Sequence, residues 1–162
     1  MKRDDLDRVA EALKEPMKTF VRESRVRMAI LVNQAGQVLA QQGFSRGFEV
    51  NNVAALAAAA HASAHPLAEL TESDRWSHLH HAGVEKQLFL APFVVGQEPL
   101  IPVAIFDDDS TLGLVQLFFD RLVEAVQEIP ELQGRLRSED AAAFERDLEA
   151  GIERLLSEPE DE

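Results

Sequence analysis

Cysteine and tyrosine are both absent from the 162 residues. Without cysteine there is no disulfide, no thiolate nucleophile and no sulfur-ligated metal, a composition that fits a reducing, cytoplasmic compartment. Base is scarce: 16 Lys and Arg against 29 Asp and Glu leave a formal charge of −13. Affinity for nucleic acid comes largely from lysine and arginine on phosphates, so DNA and RNA are not expected partners. No apolar run reaches the roughly 18 residues that a membrane-spanning helix needs, and no basic-then-apolar leader opens the chain. Neither membrane insertion nor secretion is expected. The phosphate-binding G-x-x-x-x-G-K-[ST], the dinucleotide G-x-G-x-x-G and the hydrolase G-x-S-x-G are all missing. Nothing assembles a nucleophile with a base and an orienting group. The chain is therefore expected to have no active site and no cofactor of its own.

What is present is a globular composition, 46% hydrophobic, enough for one domain and an appendage. The most informative stretch is LIPVAIFDDDSTLGLVQLFFDRL, residues 100–122. Its near-continuous apolar start reads as a buried strand, with Pro102 arguing against complete pairing. Asp107 to Asp109 end the strand, and Ser110 or Thr111 stands where a helix cap belongs. Leu112, Val115, Phe119, Leu122, Val126 and Ile129 then recur at helical spacing.

Before it, residues 3–24 predict a helix that Pro16 should kink or divide. Val26 to Val32 and Val38 to Ala40 predict a hairpin turned by Asn33 to Gly36, with Gly36 at positive φ. A helix is expected over 52–71, capped by Asn51 or Asn52 and kinked or restarted at Pro66. Strands are expected over 76–81, 86–95 and 100–106. This order gives a mixed α/β fold of the α+β kind: an αβα sandwich, with a five-stranded antiparallel sheet and helices on both faces.

The helix over 52–71 carries two stripes. Val53, Leu56, Ala60, Ser63, Leu67 and Leu70 are expected on the sheet. The second stripe, Ala55, Ala58 or Ala59, Ala62, Pro66 and Glu69, is small. A helix with one covered face is normally polar on the other; this one is alanine almost all round, so burial by a second chain is expected.

The domain is expected over 1–130, a linker over 131–137, and an acidic amphipathic helix and tail over 138–162, capped by Ser138 with Glu139 and Asp140 in its first turn. Residues 139–162 hold ten acids and two bases, a charge of −8, so the remainder carries −13 + 8 = −5. The apolar stripe of this tail is Phe144, Leu148, Ile152, Leu155 and Leu156. It needs something to dock on, and its own domain and a partner are both open to it.

Metal binding finds little support. The three aspartates do not alternate as calcium ligands do. His61 and His65 share a helix face, and His78 and His80 share a strand face, but neither pair comes with a third ligand. No metal site is expected.

Three stretches resemble the Roadblock/LC7 family, and within it the bacterial gliding-protein branch. They are the hairpin MAILVNQAGQVLAQQG (28–43), the helix VAALAAAAHASAHPLAEL (53–70) and the strand-to-helix segment LIPVAIFDDDSTLGLVQLFF (100–119). Asn33 replaces the family's common aspartate in the hairpin, and His81-Ala82-Gly83 is similar to its H-E-G turn. The resemblance spans roughly 5–129 and implies a homodimer. It implies a small Ras-like GTPase as partner, whose GTP hydrolysis and in part nucleotide exchange the protein would promote, in cell polarity or motility. Such regulators supply no arginine finger and remodel the GTPase's own switch and catalytic residues. The GTPase face implied here is Ala58, Ala62, His65, Pro66 and Glu69, Pro66 standing where a small glycine-like residue is expected. The family's C-terminal extension also touches the GTPase, and the 144–156 stripe is analogous to it in character. Two alternatives are a dimeric scaffold that binds without altering turnover and, from the likeness of such sheets to PAS and profilin domains, a small-ligand or metal-sensing module.

Overall fold

Alternation along one strand, β6 (Glu98–Phe106), sets both faces of the sheet. Every residue from Leu100 to Phe106 is buried. Leu100, Ala104 and Phe106 enter one core, and Ile101, Val103 and Ile105 enter the other. A run buried on both faces belongs at the centre of a sheet, and β6 lies between β1 (Met28–Asn33) and β4 (Gln87–Leu90). The computed structural model describes residues 3–44, 46, 49–73, 76–133, 146 and 148–154.

The sheet runs in the order β2 (Val38–Gly43), β1, β6, β4, β3 (Leu79–Ala82), and β5 (Phe93–Val95) also pairs with β6. All pairings are antiparallel. Among the described residues there are six strands where five were expected, and two prolines explain the extra one. β4 and β5 keep a single register on β6, Leu90 facing Val103 and Phe93 facing Leu100. Between them that register sets Ala91 against Pro102 and Pro92 against Ile101. Neither proline has an N–H to donate, so the ladder breaks there and one strand becomes two. On the other side of β6 the ladder passes Leu31 and Pro102 without a break. The third strand is also shorter than expected: residues 76–78 precede it without strand structure.

The hairpin turn takes the expected form. Gly36 has φ +79°, and Asn33 Oδ1 accepts from the backbone N–H of both Ala35 and Gln37, each at 3.0 Å. At the far end of β2, Gly43 has φ +98°, and a Cβ there would collide with the carbonyl oxygen of Arg27.

One face of the sheet is covered by α1 (Arg3–Ser24) and α3 (Leu112–Gln127). Val9, Leu13, Met17 and Phe20 meet Val115, Phe119, Leu122 and Val126 over Phe89 and Phe106 in the larger core. Pro16 lies inside α1 without dividing it. Ile129 and Leu132, beyond α3, are buried in the same core.

The other face is covered by α2 (Val50–Leu70), and here the expectation inverts. Its buried residues are Ala54, Ala57, Ala64 and Ala68. The leucines of the stripe expected on the sheet point away from it: Leu56 is 71% exposed, Leu67 58% and Leu70 81%. Ser63 is exposed as well, while Val53 and Ala60 pack at the edge of the smaller core. The sheet beneath already presents Met28, Ile30, Val32, Leu90, Ile101 and Ile105. At native packing density a helix fits close over such side chains only by offering methyl groups. The cap differs too. Glu49 holds the N-cap position without a side-chain cap bond, and Asn52 Nδ2 donates to the Glu49 carboxylate instead. Pro66 does not interrupt α2.

The junction between β6 and α3 uses its polar residues structurally. Thr111 is the N-cap, its Oγ1 accepting from Leu114 N–H at 3.2 Å. Ser110 Oγ reaches back to the Ser24 carbonyl at the end of α1. Arg27 spans two of the aspartates, Nε to Asp107 Oδ2 at 2.6 Å and Nη2 to Asp109 Oδ2 at 2.5 Å. The hydrogen bond from Arg27 holds the Asp107 carboxyl below its ordinary range.

Two outcomes follow. Ala54→Leu should lower the urea midpoint by the equivalent of about 1–3 kcal/mol through overpacking; no change would mean that α2 does not lie close to the sheet. For Asp107, a folded-state pKa below the unfolded one contributes stability above about pH 4 that is lost as pH falls through the lowered value. Arg27→Ala should therefore be less stable than the parent at neutral pH, with the gap closing at acid pH. A gap that stays constant down the acid limb would count against the ion pair.

Candidate functional site

α2 runs along the open face of the sheet with a groove on each flank. On one flank Val53, Leu56, Ala57 and Ala60 face Leu79, His81, Leu88 and Leu90 across a groove of about 400 Å³. This groove adjoins β3, whose four residues are all exposed and which, among the described residues, pairs with β4 alone. An exposed edge strand with one free side, next to the exposed Leu56, is a surface that ordinarily needs covering.

On the opposite flank the groove is wider, about 810 Å³. Ala58, His61, Ala62 and His65 form the α2 wall. These positions recur at helical spacing, so they share one side of the helix. Trp76 borders the groove, as do Phe93, Val94 and Pro99 from the β5–β6 hairpin. Gln34 from the β1–β2 turn and Gln127 from the end of α3 also line it. Gln127 Nε2 donates to the Val94 carbonyl at 3.3 Å, tying α3 to that hairpin.

Of the five residues implied as a GTPase face, Ala58, Ala62 and His65 thus share one groove. Pro66 and Glu69 are exposed and do not line it. Glu69 Oε1 lies 3.5 Å from His65 Nε2. Sequence reasoning did not single out Trp76. Its ring meets the His61 ring at 5.8 Å between centroids, tilted by 50°. The available signal was that it is the single tryptophan of the chain. His61 Nδ1 is buried and has no hydrogen-bond partner among the described residues. Burial first, and the charge of His65 second, push the His61 imidazole below its ordinary pKa.

The two histidine pairs stay apart. His78 stacks on Phe89 and His80 on Phe106, on the α1–α3 side of the sheet, and His80 Nε2 lies 2.7 Å from Gln87 Oε1. Among the described residues no three His, Asp or Glu side chains converge as metal ligands. No helix among them is long and apolar enough to cross a membrane. In the tail, 148–154 is helical, with Leu148 54% and Ile152 49% exposed. Phe144, Leu155 and Leu156, the Ser138 cap with Glu139 and Asp140, and residues 134–137 of the expected linker lie outside the described residues.

The family model for the Roadblock/LC7 domain matches residues 2–95. Among solved structures, the gliding protein MglB from Thermus thermophilus is 28% identical, with a TM-score of 0.66 over 75% of this chain and 90% of that one. A structure described as MglB with tetrameric arrangement is 25% identical, with a TM-score of 0.65 over 84% of this chain and 95% of that one. Myxococcus xanthus MglB, at 23% identity and a TM-score of 0.63 over 78% of this chain and 95% of that one, shares the fold. No curated protein sequence matches the chain.

The burial of His61 is testable by titration. Its lowered folded pKa means that the unfolded chain takes up this proton first as pH falls. Stability is complete above the ordinary histidine value of about 6.5 and is lost as pH drops from there towards the lowered value. Urea midpoints should decline across that window, and His61→Leu should flatten the decline; an identical slope in both proteins would show that His61 titrates normally.

Proposed function

The chain belongs to the Roadblock/LC7 domain family, and from that premise we propose that it is a homodimeric regulator of a small Ras-like GTPase. In this reading it activates GTP hydrolysis, in part promotes exchange, and acts in the cytoplasm in cell polarity or motility. One observation carries the proposal: Ala58, Ala62 and His65 line a single open groove on α2. A protein that offers shape rather than reacting groups can still accelerate phosphoryl transfer, because positioning and electrostatics supply most of that rate. Pro66 and Glu69 extend the same face beyond the groove.

The dimer is proposed on the other flank. Leu56 is exposed beside the open β3 edge, Leu67 and Leu70 are exposed further along α2, and a second copy laid on that edge would cover it and Leu56. The tail stripe of Phe144, Leu148, Ile152, Leu155 and Leu156 is proposed as a further docking element. The domain boundary near 130 and the linker over 131–137 are kept as part of the proposal, with Leu132 still packed on the core.

Hydrolysis measured with a Ras-like GTPase should rise at least about tenfold on addition of the protein, equivalent to ~1.4 kcal/mol of barrier. Ala62→Arg should return the rate to that of the GTPase alone. It places a charged side chain in the groove at an exposed position, so folding should be untouched. Calorimetric binding with no rate change would make the protein a scaffold, and no binding to any such GTPase would end this reading.

A further inference from the structure

Three of the five histidines fall between Ser77 and Ala82, on and just before the edge strand β3. His78 and His80 lie on the α1–α3 side of the sheet, stacked on Phe89 at 5.6 Å and on Phe106 at 6.1 Å between centroids. His81 lies on the other side, in the smaller groove with Leu56 and Leu79. All three are exposed. They are also the only titratable groups from Ser77 to Val84. An edge strand is ordinarily guarded against pairing by fixed charge, proline or a bulge. β3 has no fixed charge and no proline; its charge depends on pH.

Among the described residues, the elements packed against these histidines add no charge. Gln87, Leu88 and Phe89 from β4, Phe106 from β6, and Leu56 and Ala60 from α2 meet them, and His80 Nε2 lies 2.7 Å from Gln87 Oε1. In sequence the flanking charges are Asp74 and Arg75, outside the described residues, and Glu85 and Lys86; each flank sums to zero. Two copies that pair antiparallel along β3 share a two-fold axis normal to the sheet, which sets one residue opposite its own copy. Centred on Leu79, His78 of one copy faces His80 of the other, twice. Centred on His80 or on His81, that histidine faces its own copy. Three of the four positions of β3 thus bring imidazoles opposite one another, with Cβ atoms ~5 Å apart, where like charges oppose pairing.

We propose that β3 is a pH-gated edge: neutral histidines leave it open to a second copy, and their protonation closes it. This rests on the dimer placed on that edge under Proposed function. The effect runs against the field of the whole chain. Charging all five histidines takes each copy from −13 to −13 + 5 = −8, which lowers the mutual repulsion of two copies and favours association on acidification. The edge demands the reverse. A dimer that sets imidazoles across from one another binds protons less readily than two free chains, so protons favour the free chains as pH falls through about 6.5.

Sedimentation equilibrium of the full chain reads the effect. The dimer dissociation constant should rise at least about tenfold between about pH 7.5 and about pH 5.5, where histidine goes from neutral to charged. In a His78→Gln/His80→Gln/His81→Gln variant, changed only at exposed positions, the rise should vanish. His80→Lys, whose charge no pH in that range removes, should weaken the dimer already at the higher pH. A parent dimer as tight or tighter at the lower pH overturns the proposal. An equal rise in the triple variant, or a His80→Lys dimer as tight as the parent, overturns it too. A dimer that ignores pH leaves the pairing reading standing and ends the gate; a chain that stays monomeric at every pH and concentration ends both.

Discussion

The close seating of α2 on the sheet governs the outer half of this molecule. Ala54, Ala57, Ala64 and Ala68 are the buried side of that helix, and only Val50, Val53 and Ala60 pack partly against the smaller core beside them. The volume below is taken by Met28, Ile30, Val32, Leu90, Ile101 and Ile105. Burying a methyl group contributes only about 0.8 kcal/mol, so α2 gains far less from its contact than α1 and α3 gain from theirs. The large side chains of α2 are left outside. A helix held by its small residues and showing its leucines to solvent is incomplete as a monomer surface.

How much of this could be read in the chain depends on whether the determining forces were local. The β6–α3 junction was legible because strand, cap and helix signals follow one another: buried run, Asp107, Thr111, then Val115 and Phe119 at helical spacing. The hairpin was legible through Asn33 and Gly36. The orientation of α2 was not, since the rule that large apolar residues face inward presumes room, and the depth of the sheet below is set by strands far away in sequence. The same holds for Arg27 on Asp107 and Asp109, a contact between segments 80 and 82 residues apart. The break between β4 and β5 required knowing that Pro92 and Pro102 fall at adjacent positions of one ladder. For the candidate face, helical spacing marked Ala58 and Ala62 as part of a small-residue stripe, and only resemblance added His65 and assigned the face to a GTPase. Trp76, which completes their groove, joins them only in the fold.

The groove offers shape more than charge. His61 is the one groove residue with an unsatisfied buried nitrogen among the described residues, and its environment keeps it neutral at ordinary pH. A neutral imidazole against an indole presents a contoured surface and a single polar contact. The strong field of the chain lies elsewhere, in its acidic balance of −13. A field of that sign hastens encounter with a basic face and slows encounter with an acidic one, while the contact itself is set by packing.

In the proposed reading one helix serves two contacts, on separate flanks. The leucine flank opens onto β3, where edge hydrogen-bonding groups and exposed Leu56 suit an extended, symmetric contact with an identical chain. The histidine flank opens onto Trp76 and the β5–β6 hairpin, with no leucine from α2. A partner seated there would rest on α2 without displacing a second copy seated on the leucines. Because α2 is a continuous helix through Pro66, cover on one flank would steady the wall of the other. Pairing would then act on partner affinity by reducing the ordering cost of a helix seated mainly on alanines, which is why that seating bears on the proposed function more than the size of either groove.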